Sequence, residues 1–94
     1  MPHFLYILHS KSSEKFYIGE TYDIPERILK HNEHYYKNSF SKIANDWELA
    51  LAFECNDKND ALYLEKFIKK MKSKTFIRKI VDNPEILNDI LSKK

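Results

Sequence analysis

Apolar and polar positions along the chain change period several times, and each change marks an element. His3 to Leu8 is aromatic and branched, Ser10 to Lys15 is polar, and Phe16 to Gly19 is apolar again. This reads as strand, loop and strand, a β-hairpin. Alternation then puts Phe4, Tyr6 and Leu8 on one face of the first strand, and Tyr17 with Gly19 on one face of the second. If those faces coincide, the two phenols converge.

A helix start follows at Asp23-Ile24-Pro25-Glu26: Asp23 can cap, Pro25 fits the first turn and Glu26 falls where a capping box places it. The helix is expected to run to about Tyr35, with Ile24, Ile28, His31 and Tyr35 in one stripe and Arg27 sharing a flank with His31. From that flank an arginine either looks across toward the sheet or snorkels to water. Residues 36–46 read as a loop. Trp47 to Glu54 reads as a third strand, apolar on both faces and therefore expected at the centre of the sheet. Asp57 then caps a helix to about Lys72, with Asp60 in its first turn and Ala61, Leu64, Ile68 and Met71 as its core stripe. A shorter helix spans Lys74 to Val81. The last begins with Asn83 as cap and Pro84 as first helical residue, and Ile86, Leu87, Ile90 and Leu91 give it an apolar face. No repeat, low-complexity tract or linker interrupts the series, so one α+β domain over residues 1–94 is expected.

Composition sets limits on that domain. With 94 residues, 43% hydrophobic and 14% aromatic, the chain can build one small core and has no room for a second. Charged residues at 32% and a mean hydropathy of −0.61 suit a well-solvated surface. Apolar runs are short and the amino terminus lacks the blocks of a secretory signal, so neither membrane insertion nor export is expected. The single cysteine, Cys55, has no intramolecular disulfide partner and sits in an apolar run, where it reads as a small buried hydrophobe in a reducing, cytoplasmic compartment.

Three features carry candidate chemistry. Gly19 is the one glycine of the chain, so its position is expected to need either an unusual backbone angle or the close approach of another group. Glu65 falls inside the apolar stripe of its helix, between Ala61 and Ile68, where a carboxylate is costly unless a metal ion, an arginine or a hydrogen-bond set receives it. It is therefore a candidate metal ligand, with a structural ion pair to Arg27 as the alternative. Finally, Lys66, Lys69, Lys70, Lys72, Lys74, Arg78 and Lys79 concentrate basic charge in a short stretch, which attracts polyanions or simply forms a solvated helix face. The net charge of +2 adds little to this. His3, His9, His31 and His34 do not form a closed zinc pattern with a single cysteine.

Tyr6, then Tyr17-Ile18-Gly19, then Arg27, then Glu65 on a later helix resemble the GIY-YIG nuclease superfamily in order and spacing. The Asp23-x-x-x-Arg27-x-x-x-His31 helix, the segment from Ser39 to Trp47, and Ala61-Leu62-x-x-Glu65 before a lysine-rich turn extend the resemblance over roughly residues 3–80. More narrowly the chain looks like the small stand-alone bacterial members related to the amino-terminal nuclease domain of the excinuclease C subunit. Three positions depart from the pattern. Phe4-Leu5-Tyr6 stands for the first tripeptide, Glu20 follows Gly19, and Phe76-Ile77-Arg78 occupies the stretch where the pattern has an asparagine. A carboxylate at Glu20 must either turn away from a bound phosphate or help hold metal.

The resemblance implies a three-stranded antiparallel sheet flanked by helices, and a divalent-metal-dependent endonuclease hydrolysing DNA phosphodiesters, with structure selectivity and a link to repair or recombination as further expectations. It implies Tyr6, Tyr17, Gly19, Arg27, His31 and Glu65 as the catalytic set, with Glu65 as ligand of Mg2+ or Mn2+. Lys66, Lys69, Lys70, Lys72, Lys74 and Arg78 are the expected contacts to the nucleic-acid backbone. The chemistry asks for such a set: a hard cation with much of its water shell, a guanidinium fork for phosphate oxygens, and a base for the attacking water. A phenol titrates near pH ~10, so Tyr6 or Tyr17 serves as base only with help from a neighbouring positive charge. A non-catalytic nucleic-acid-binding module on the same fold, and a partner-binding domain using the last helix, are the alternatives. The expected assembly is a monomer or weak dimer, with a partner protein supplying substrate selectivity.

Overall fold

The computed structural model describes residues 2–33 and 44–94. Strands β1 (His3–Ser10) and β2 (Lys15–Thr21) form the expected hairpin, followed by α1 (Ile24–Asn32), β3 (Trp47–Cys55), α2 (Lys58–Met71), α3 (Lys74–Asp82) and α4 (Glu85–Ser92). The sheet is antiparallel in the order β2-β1-β3. The fold is thus α+β, with three strands flanked by four helices among the described residues.

The centre of the sheet is β1, not β3 as its composition suggested. Leu5, Tyr6, Ile7 and Leu8 are buried in succession, so both faces of β1 are covered. The third strand is an edge strand whose larger apolar residues, Trp47, Leu49, Leu51, Phe53 and Cys55, fall at odd positions, with the small Ala50 and Ala52 between them. Its register shifts between Ile7 and Leu8, where Ile7 pairs with Leu51 and Leu8 with Leu49, leaving Ala50 as an extra residue. This bulge moves the alternating set from one face to the other. Trp47 consequently packs with Tyr6 and Leu8, whereas Leu51, Phe53 and Cys55 pack with Leu5 and Ile7.

Each face has its own cover. Ala61, Leu64 and Ile68 of α2, with Ile80 of α3 and Leu87 of α4, close over Leu5, Ile7 and Ile18. On the opposite face Ile24 and Ile28 of α1 pack against Tyr6, Leu8 and Trp47. The α2 stripe ends at Ile68. Met71, expected in the core, is 48% exposed, in the last turn before the chain reverses through left-handed Lys72 (φ 50°).

Helix ends follow local chemistry. Asp23 accepts from the Glu26 amide at 3.1 Å, and Asp57 accepts from that of Asp60 at 2.9 Å, as the sequence indicates. The first helix stops at Asn32, short of the expected Tyr35, which lies outside the described residues with most of the 36–46 loop. The Asn32 side chain is taken up by β3, accepting from the Trp47 amide at 2.6 Å and donating to its carbonyl at 3.1 Å. At the last helix Pro84 itself occupies the cap position (φ −62°) without a side-chain bond, one residue later than Asn83. The Ile86 amide reaches the Asn83 carbonyl instead.

The hairpin loop is held from two sides. Asp46 accepts from the Ser10 hydroxyl at 2.6 Å and from the Ser12 amide and hydroxyl, both at 2.9 Å, and these bonds keep its carboxyl below the usual range. Glu14 sits in the left-handed region (φ 56°), and its carbonyl receives the Lys74 ammonium. Cys55 is buried and its thiol pushed up by desolvation, consistent with a packing role.

Candidate active site

Hairpin register assembles the first part of the site. Tyr6 lies opposite Gly19 and Leu8 opposite Tyr17, which puts both phenols on the α1 face with ring centroids 6.2 Å apart. Gly19 is there for close approach rather than for a backbone angle, since its φ is not positive. A Cβ at this position would lie 2.6 Å from Tyr6 Oη and 2.7 Å from Tyr6 Cζ. The Tyr6 ring therefore crosses directly over the glycine, and any side chain there displaces it. Glu20, the next residue, pairs with Leu5 on the opposite face of the strand, turned away from the phenols.

From α1, His31 completes the cluster. It is fully buried, its Nε2 is 3.1 Å from the Tyr6 hydroxyl, and its ring centroid is 4.3 Å from that of Tyr17. Desolvation, with the Arg27 charge one turn away, lowers its pKa to about 4. His31 is therefore neutral near pH 7, and with its proton on Nδ1 it accepts from the Tyr6 hydroxyl. Trp47 closes the edge of the cluster at 6.4 Å from Tyr17. Tyr6 is 1% exposed, whereas Tyr17 is half-buried and reaches the surface.

Glu65 enters from α2. Its side chain is 20% exposed and its partner is Lys69 at 2.7 Å, one turn on, rather than Arg27. The same ammonium lies 5.9 Å from the Tyr17 ring centroid, so Lys69 links the α2 carboxylate to the tyrosine face. That i, i+4 spacing is visible in the sequence. Among the described residues no three His, Cys, Asp or Glu side chains gather into a metal cage. A lone, partly exposed carboxylate suits a hard cation that keeps most of its waters and does not suit zinc. His3, His9 and His31 make no such group, and His34 lies outside the described residues.

The basic run divides on folding. Lys69, Lys72 and Lys74, joined by Lys15 of β2, rim a groove beside the site. Lys66 and Lys70 lie against Tyr63 and Phe67 on another side of α2. Arg78 faces Glu14 at 3.9 Å and the Phe16 ring at 6.0 Å. Lys15 was absent from the sequence-derived set because it is remote from the run along the chain. Among the described residues no helix is long and apolar enough to cross a membrane.

The chain resembles the UPF0213 protein BH0048 from Bacillus halodurans, whose solution NMR structure aligns with a TM-score of 0.55 at 26% identity, over 87% of this chain and 84% of that one. No curated protein matches at a significant level. The family model of the GIY-YIG catalytic domain matches residues 2–79, which include both tyrosines, Gly19, Arg27, His31 and Glu65. The chain belongs to the GIY-YIG family.

Proposed function

We propose that the chain is a divalent-metal-dependent endonuclease that hydrolyses DNA phosphodiesters at the Tyr17 surface. The observation that carries this reading is the convergence of a buried Tyr6–His31 pair, a half-buried Tyr17 and the Glu65–Lys69 pair around one edge of the hairpin. A module that only grips nucleic acid has no need of a neutral buried histidine bonded to a phenol.

The residues divide the work as follows. Tyr17 reaches solvent and, in its ionised phenolate form, takes the proton of the attacking water to leave hydroxide for the phosphorus and a neutral phenol, with the Lys69 ammonium beside the ring. Tyr6 stands behind it, bonded to His31, and fixes the packing that orients Tyr17. Arg27 offers two parallel donors to nonbridging oxygens. Glu65 would hold Mg2+ or Mn2+, which when bound stabilises charge on the leaving 3′ oxygen. With Glu65 engaged by a cation, the Lys69 ammonium would be available to a phosphate oxygen. A cytoplasmic location, a role in DNA repair and a partner protein that supplies selectivity belong to the same proposal.

The test is cleavage of labelled single-stranded, duplex, flapped and branched DNA with Mg2+ or Mn2+, by the wild type, Glu65→Ala and Arg27→Ala. Metal-dependent cutting that both variants lose is the expected result. Salt-sensitive binding without cutting by the wild type would replace this reading with the non-catalytic module.

A further inference from the structure

The groove rimmed by Lys15, Lys69, Lys72 and Lys74 has a floor that phosphate alone does not need. Phe16 and Ile18 of β2, Ile68 of α2 and Ile77 of α3 make that floor, and among the described residues no carboxylate lines it. Its volume of about 380 Å³ lies at the lower end of the roughly 300–1,000 Å³ typical of small-ligand clefts. The Phe16 ring is steadied from outside the groove by His9, 4.8 Å away, and by Arg78, 6.0 Å away. Lys69 belongs both to this groove and to the candidate active site, through Glu65 and the Tyr17 ring. Lys69 is thus the residue that the groove and the candidate site share.

Duplex DNA turns phosphates and sugars outward and keeps its base faces stacked, so it would use the lysines and leave the floor bare. An unpaired nucleotide presents a phosphate and a free base face together, which matches a lysine rim over an aromatic and aliphatic floor. We infer that this groove seats an unpaired nucleotide of the substrate strand, its base on the partly exposed Phe16 and Ile77 and its phosphate on Lys15, Lys69 and Lys72. Lys74 contributes charge, its ammonium already donating to the Glu14 carbonyl at 2.5 Å. The inference rests on the nuclease reading above and adds the shape of the substrate: the chain acts where a strand is unpaired, as at flaps, loops and gaps.

Fluorescence anisotropy with a chelator present measures this without any cutting. The probes are a short oligothymidylate, a duplex of equal length and an abasic deoxyribose oligomer of equal charge. The oligothymidylate is expected to bind about tenfold tighter than the abasic oligomer. Phe16→Leu, which keeps apolar volume against the core and removes the ring, should close most of that gap, and so should Ile77→Thr if Phe16→Leu melts early. Lys15→Gln/Lys72→Gln should weaken the single strand more than the duplex, whereas Lys66→Gln/Lys70→Gln should weaken both by the same factor. Equal binding of the oligothymidylate and abasic probes overturns the inference. So does a gap that both floor variants leave intact, or a doubled sedimentation mass that Phe16→Leu abolishes, which would give the groove to a second copy. A wild type that binds as expected yet cuts nothing would leave the groove standing and remove the nuclease reading instead.

Discussion

On one side of β1, Leu5 and Ile7 meet Ile18, Leu64 and Ile68 in an apolar layer with no side-chain polar atom to satisfy. On the other, Tyr6 and Leu8 meet Tyr17, Trp47 and His31, where a buried phenol needs an acceptor, a buried imidazole must stay neutral and a ring needs a glycine beneath it. Adjacent residues of one strand thus live under different rules. The dry face is stabilised by area and volume, which tolerate small changes in shape. The aromatic face depends on particular atoms at particular distances, so a small change there breaks function along with fit. Stability and chemistry are separated by a single peptide unit.

That contrast is open to direct attack. Leu64→Ala on the dry face should cost about 2–5 kcal/mol and lower Tm by roughly 10–20 °C, with cleavage unchanged at temperatures well below the melt. Loss of cleavage in a still-folded Leu64→Ala protein would show that the faces are not separable.

Acid should strike the other face. The pKa of His31 is about 4 when folded, against an ordinary value of 6.5. Between those limits the unfolded chain binds a proton that the folded one does not. Its stabilising contribution is fully present above pH 6.5 and is lost progressively as pH falls through 4, by roughly 3 kcal/mol in total. Urea titrations across this window should show the slope, and His31→Gln should flatten it. An unchanged slope in that variant would mean that other groups carry the acid sensitivity.

Gly19→Ala places a methyl where the Tyr6 ring lies, and should cost roughly 1–3 kcal/mol while breaking the Tyr6–His31 bond. Cleavage should fall with it, and a His31 imidazole resonance followed by NMR should move. Ile7→Val, a change of one carbon on the dry face in the opposite direction, should cost only about 0.5–1.5 kcal/mol and leave the His31 signal in place. Equal responses from the two variants would dissolve the comparison.

Much of the fold was legible because it is written in local chemistry. Asp23 and Asp57 announce their helices by capping, and the hairpin follows from period two with a polar loop. The position of β3 was not legible. Its alternation is regular along the sequence, and the bulge at Ala50 that splits it between faces arises from pairing with β1. The end of α1 was set by Asn32 reaching β3, again a contact between distant residues. At the site, the glycine and the misplaced Glu65 stood out as anomalies, but not what answers them. The Tyr6 ring over Gly19 is a matter of register, and Lys69 is one of several lysines until the helix face selects it. Likewise the basic run reads as one feature along the chain and becomes separate surfaces on a helix with a period of about 3.6.

The most direct test of the account is metal-dependent DNA cleavage by Tyr17→Phe, measured beside its melting temperature. The Tyr17 hydroxyl makes no hydrogen bond among the described residues, so removing it should leave Tm within a few degrees while the cleavage rate falls about 100-fold or more. A Tyr17→Phe protein that cuts at the wild-type rate would contradict the account, because the Tyr17 phenol would then have no part in the chemistry assigned to its face.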